Sequence, residues 1–136
     1  GLLEHEFARL LGLMRAAGER VEPTDVVGRV REQMHAYCDF AVANPGHYRL
    51  MLGAGPHRAR AGERTGPLVE VIDALAVGFG RCERAGRPLR VDVQRAALLV
   101  FVGVHGRVAL LHSNYSPENA RSAKAFVDEL ISLVFA

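Results

Sequence analysis

The chain has 136 residues, 49% of them apolar, no Trp, and 17 basic against 15 acidic residues for a formal net charge of +2. That is the length and composition of one globular domain, and the near balance of charge removes any electrostatic case for nucleic-acid binding by this chain alone. Two cysteines, Cys38 and Cys82, cannot build the disulfide framework of a small secreted domain. With no signal-like segment before the first amphipathic stretch, a cytoplasmic location is expected.

Leu3, Phe7, Leu10 and Met14 recur at helical spacing, which predicts a first helix from Leu2 to Ala17 with Gly18 as its stop. The stripe begins almost at the first residue, as if the chain had been cut from something longer. Thr24 is expected to cap the second helix, with Asp25 in its first turn. The apolar face of that helix is Val27, Val30, Met34, Tyr37 and Ala41. Asn44-Pro45 ends it and opens a short helix from Gly46 to Leu52, because Pro loses no hydrogen bond at a first helical position.

Residues 53–66 hold Gly53, Gly55, Pro56, Gly62 and Gly66 together with Arg58, Arg60 and Arg64. With no interleaved aromatic side chains, the arginines read as solvated loop charge rather than a nucleic-acid platform. Leu68, Ile72, Leu75, Phe79 and Cys82 mark the next helix, closing near Gly86-Arg87-Pro88. Ser116-Pro117-Glu118 announces the last, which carries Phe126, Leu130, Ile131, Val134 and Phe135.

Between these two lies the most apolar stretch, Ala96 to Leu111, whose one charged residue is Arg107. As a helix it is roughly 24 Å long, short of the ~30 Å core of a bilayer, so a membrane span is not expected. It is also about twice the length of an ordinary buried strand. Leu99, Gly103, Gly106 and Leu110 share one side; Phe101, Val104, Val108 and His112 share another, with His105 at its edge. A helix with two apolar sides needs two partners, and in a chain this small the second is expected to be another subunit. No alternating strand pattern occurs, so the domain reads as all-α, a bundle of about six helices.

Six histidines and two cysteines show neither Cys-x-x-Cys nor His-Glu-x-x-His spacing, so no metal site and no cofactor are expected. No nucleophile arrangement such as Gly-x-Ser-x-Gly accompanies His105, and no enzymatic activity is expected. His105 is read either as a hydrogen-bonded neutral imidazole or as a polar handle in a ligand cavity. Tyr37, Phe40, Tyr48, Phe79 and Phe101 come from four predicted helices. They either fill the core or line a mostly apolar pocket, with Met34, Met51 and Cys82 as adaptable lining.

The segment Asn44-Pro45-Gly46-His47-Tyr48-Arg49-Leu50-Met51-Leu52, followed by Phe101-Val102-Gly103-Val104-His105-Gly106, resembles the C-terminal domain of TetR-family transcriptional regulators. The subgroup is the one named for a Trp…His-Gly signature, with Phe101 standing here in the Trp position. The resemblance runs from about Leu2 to the end. It implies a domain that senses a small hydrophobic effector and forms a homodimer through its last two long helices, here Asp92–Asn114 and Pro117–Phe135. It also implies that operator DNA is read by an N-terminal helix-turn-helix domain that this chain lacks, the reader of a repressor in the full-length protein.

The candidate ligand-binding residues are therefore Tyr37, Phe40, Tyr48, Leu52, Leu75, Phe79, Cys82, Phe101, Val104 and His105. The candidate dimer residues are Leu99, Gly103, Gly106 and Leu110 on one helix and Phe126, Leu130 and Val134 on the other. A helical dimerisation module without ligand, or a small all-α enzyme, are the alternative readings.

Overall fold

The computed structural model describes residues 2–46, 67–113 and 120–136, and among them it is all-α. Five helices are described: α1 (Leu2–Glu19), α2 (Val26–Ala43), α3 (Pro67–Arg84), α4 (Val93–His112) and α5 (Ala120–Val134). The short helix expected over 46–52 and the Ser116-Pro117 start lie almost wholly outside the described residues, which accounts for five helices rather than about six.

The amphipathic stripes decide the packing. Phe7, Leu10, Met14 and Ala17 of α1 are buried, as are Val30, Met34, Tyr37 and Ala41 of α2. Helix α2 runs through the middle of the bundle, touching α1, α3, α4 and α5, while α4 packs between α3 and α5. One continuous core joins Leu10, Met34, Leu75, Phe79, Val100, Val104, Val127 and Ile131. By length and composition Val93–His112 is apolar enough to cross a membrane. Its buried Ala96, Ala97, Val100, Phe101, Val104 and Val108 instead make it a core helix of this bundle.

The helix ends refine the expectations from sequence. The N-cap of α2 is Asp25, not Thr24: its carboxylate accepts the Gly28 amide at 3.0 Å. A carboxylate binds an orphan amide more strongly than a hydroxyl and also meets the positive end of the helix dipole. Helix α1 continues through Gly18 to Glu19, and Gly18 is covered by Gln33 rather than ending the helix. Asp92 caps α4 by accepting from the Arg95 amide at 2.8 Å. Gly86, with φ of 85°, makes the turn after α3.

Helix α5 stops at Val134, one residue short of expectation, because Phe135 pairs with Leu89 in an isolated antiparallel bridge. The Arg90 amide donates to the Val134 carbonyl at 2.8 Å and the Ala136 amide to the Pro88 carbonyl at 3.0 Å. The connector between α3 and α4 is thereby clasped to the C-terminal residues.

Candidate functional site

The polar centre of the core is built by α2 and α4. Tyr37, fully buried on α2, has its hydroxyl 3.0 Å from Nδ1 of His105 on α4. The His105 ring stacks on Phe101, one turn earlier, with centroids 5.4 Å apart. Phe101 in turn receives the Tyr37 ring edge-on, also at 5.4 Å. This triangle follows from the helical period: positions 101 and 105 share a face of α4, and 37 lies on the α2 stripe facing it. Burial lowers the imidazole pKa, so His105 is held neutral near pH 7.

Such a cluster offers hydrogen-bonding atoms inside an apolar wall but no nucleophile and no orienting acid. Val104 is fully buried beside it in the core and Phe40 nearly so. Leu75, Phe79 and Cys82 are fully buried too, but Phe79 packs towards the C-terminal clasp, with its ring 6.0 Å from that of Phe135. The structure thus brings Tyr37, Phe101 and His105 into direct contact and directs Phe79 elsewhere; Tyr48 and Leu52 lie outside the described residues. Burial pushes the Cys38 thiol up to about 11, the neighbouring Asp39 adding to the shift, and burial raises Cys82 as well. Neither is an activated thiol.

The cavities found among the described residues open on other faces. A groove of about 660 Å³ runs along α3 and α4 beside Val69, Val77 and Gln94. A second, of about 320 Å³, lies where α1, α2 and α3 meet, beside Met14, Gln33 and Arg81. Sequence periodicity had no means of finding the second, because its walls come from three helices.

The expected dimer residues divide. Leu99 and Leu110 are 46% and 43% exposed, Val102 beside them is 57% exposed, and a Cβ on Gly106 would meet nothing within 4 Å among the described residues. Together they leave one side of α4 apolar and open. Gly103 is instead covered by Leu130 of α5 in the same chain. Phe126 lies under the Arg107 guanidinium at 5.9 Å, and Val134 is buried in the chain's own core. The outward residue of α5 missed from sequence is Leu133, which is 68% exposed. Its signal was present, since Leu130 and Leu133 are three apart.

The sequence profile described as tetracyclin repressor-like, C-terminal domain, matches residues 30–134. The chain belongs to that family and is a domain of a TetR-family regulator. A solved structure from Rhodococcus sp. RHA1, titled as a protein with unknown function, shares the fold at a TM-score of 0.80 and 24% identity. The similarity covers 99% of this chain and 70% of that one. No curated protein matches the sequence.

Proposed function

We propose that this domain pairs with a second copy of itself and senses a small apolar effector carrying a hydrogen-bonding group. The carrying observation is the open side of α4, where Leu99, Val102 and Leu110 flank a glycine that no described residue covers. A glycine in a helix interior costs about 1 kcal/mol relative to Ala. One with open space over it makes physical sense where another backbone approaches closely, and an equivalent α4 supplies that backbone. Leu133 of α5 extends the same apolar character onto the second helix of the seam.

The effector is read at the Tyr37–His105 pair, with Phe40, Phe101 and Val104 as apolar wall. Leu75 and Cys82 support that wall from the packed core, while Phe79 packs on Phe135. Effector binding acts through its differential affinity for two arrangements of the bundle. In the dimeric regulator this alters the spacing of two helix-turn-helix heads, whose operator half-sites are separated by roughly 34 Å per turn. The sense is repression, relieved by effector, with no catalytic step and no cofactor.

Sedimentation equilibrium tests the pairing: the protein is expected to be a dimer, and Val102→Asp, a charge on the exposed side, a monomer with unchanged helicity. A monomeric parent protein would overturn it. Native mass spectrometry of protein from cells tests the sensing, with a retained small molecule lost in Tyr37→Phe. A second reading, a dimerisation module without effector, is favoured by the complete burial of Leu75, Phe79 and Cys82. Dimers that never carry or bind a small molecule would support it.

A further inference from the structure

We propose a second binding site, for an amphipathic organic anion such as an aromatic or aliphatic carboxylate, in the cleft where α1, α2 and α3 meet. The cleft has a volume of about 320 Å³ and lies away from the Tyr37–His105 cluster. Its apolar wall includes Met14, buried in the core, and Val77, which is 53% exposed. Around that wall stand Arg15 of α1, Arg29 of α2 and Arg81 of α3, with Glu19 the one acidic lining residue. Three guanidinium groups from three helices against one carboxylate leave the cleft strongly cationic.

The arginines are not committed to other charges. Arg15, Arg29 and Arg81 have no ion pair among the described residues. Arg29, which lines the cleft, donates Nε to the Val21 carbonyl at 3.2 Å, and that bond steadies its side chain. Guanidinium groups suit a carboxylate because they supply paired, parallel donors.

The base of the cleft is held by Gln33, which reaches between two glycines. A Cβ on Gly18 would stand 3.0 Å from Gln33 Nε2, and one on Gly78 would stand 2.9 Å from the Val30 side chain and 3.8 Å from Gln33 Oε1. The two glycines let α1 and α3 close on α2 at this point. The Gln33 amide has no hydrogen-bond partner among the described residues, so it adds a donor at the base. An apolar wall, a few polar groups and a localised positive charge are the parts of a site for an amphipathic anion.

The test uses 2-naphthoate and its neutral counterpart 2-naphthylmethanol as probes in isothermal titration calorimetry with the protein. Naphthoate is expected to bind at least about tenfold more tightly than the alcohol, and more weakly as salt is raised. The double substitution Arg15→Gln, Arg81→Gln is expected to weaken naphthoate about tenfold or more while the circular dichroism melt stays in place. Glu19→Gln is expected to tighten it, a gain that damage to the fold does not mimic. Equal binding of acid and alcohol, or no binding of naphthoate, overturns the proposal. So does binding that survives the double substitution and is lost in His105→Gln. The site stands apart from the effector reading: failure of Val102→Asp to dissociate a dimer, or of Tyr37→Phe to lose a co-purified molecule, leaves these outcomes unchanged.

Discussion

Leu130 of α5 lies over Gly103 of α4 so closely that a Cβ at the glycine would sit 2.6 Å from its Cδ1, while no described residue stands within 4 Å of a Cβ on Gly106. Two glycines on the same helical stripe therefore have different jobs. Gly103 lets α4 and α5 of one chain close together, and Gly106 leaves a gap on the outside. Gly103→Leu is expected to cost ~1–3 kcal/mol or more of folding stability through overpacking. In the isolated subunit Gly106→Leu is expected to gain up to about 1 kcal/mol from helix propensity. Urea denaturation at low protein concentration separates the two, and association measured alongside tests the proposed pairing through α4.

The start of α2 provides a second contrast between neighbours. Asp25 holds the Gly28 amide, and Thr24 has no such bond among those described. Asp25→Ala is expected to lower stability by about 1 kcal/mol, and Thr24→Ala to change it by less than ~0.5 kcal/mol. Thermal melts of the two variants at neutral pH check the assignment of the cap.

Much of this fold was legible in the sequence because one-dimensional periodicity carries it. The stripes through Leu10 and Met14, Val30 and Met34, and Phe101 and Val104 became the core with their faces as expected. What periodicity does not carry is the identity of whatever lies across a face. Gly103 and Gly106 are indistinguishable by spacing, yet one meets Leu130 and the other open space. Tyr37 and His105 are 68 positions apart, and nothing local announces that their polar atoms meet. Phe135 continues the pattern of α5, but its carbonyl and ring are claimed by the α3–α4 connector, so the helix ends one residue earlier.

The Tyr37–His105 contact has a pH signature with a definite sign. Burial holds the His105 pKa below its ordinary 6.5, whereas the unfolded chain keeps the ordinary value. The unfolded state therefore binds more protons as pH falls below that value. The contribution to stability is complete above about pH 6.5 and is lost as pH falls towards the lowered folded value. The melting temperature is expected to drop between about pH 7.5 and pH 5.5, and His105→Gln to show a smaller drop. The remaining titratable groups are common to both proteins and cancel in the comparison. Equal drops in the two proteins would mean that His105 is not held neutral by its surroundings.

A large loss of stability is expected at Phe135, which works as an anchor for two segments at once. Its side chain is 8% exposed, its ring packs 6.0 Å from that of Phe79 and lies under the Arg87 guanidinium at 5.4 Å. Its carbonyl accepts from Arg90 Nε at 2.7 Å, tying the same residue to the connector that leads into α4. Phe135→Ala keeps the backbone bonds and removes the ring, so it isolates the packing contribution. Truncating a buried Phe costs about 3–5 kcal/mol, the transfer of the ring plus the cavity it leaves. Arg90→Ala removes the side-chain donor while the backbone bond to Val134 persists, and is expected to cost about 1 kcal/mol. Urea titrations of the two variants give both values. Because the ring supports the start of α4 through its connector, Phe135→Ala is also expected to raise hydrogen exchange at Val93–Ala96 more than at Phe7–Leu10 of α1, where Arg9 packs over Phe40 near the other end of α2. A uniform rise across both helices would show that the clasp contributes only to global stability and does not hold the entry to α4.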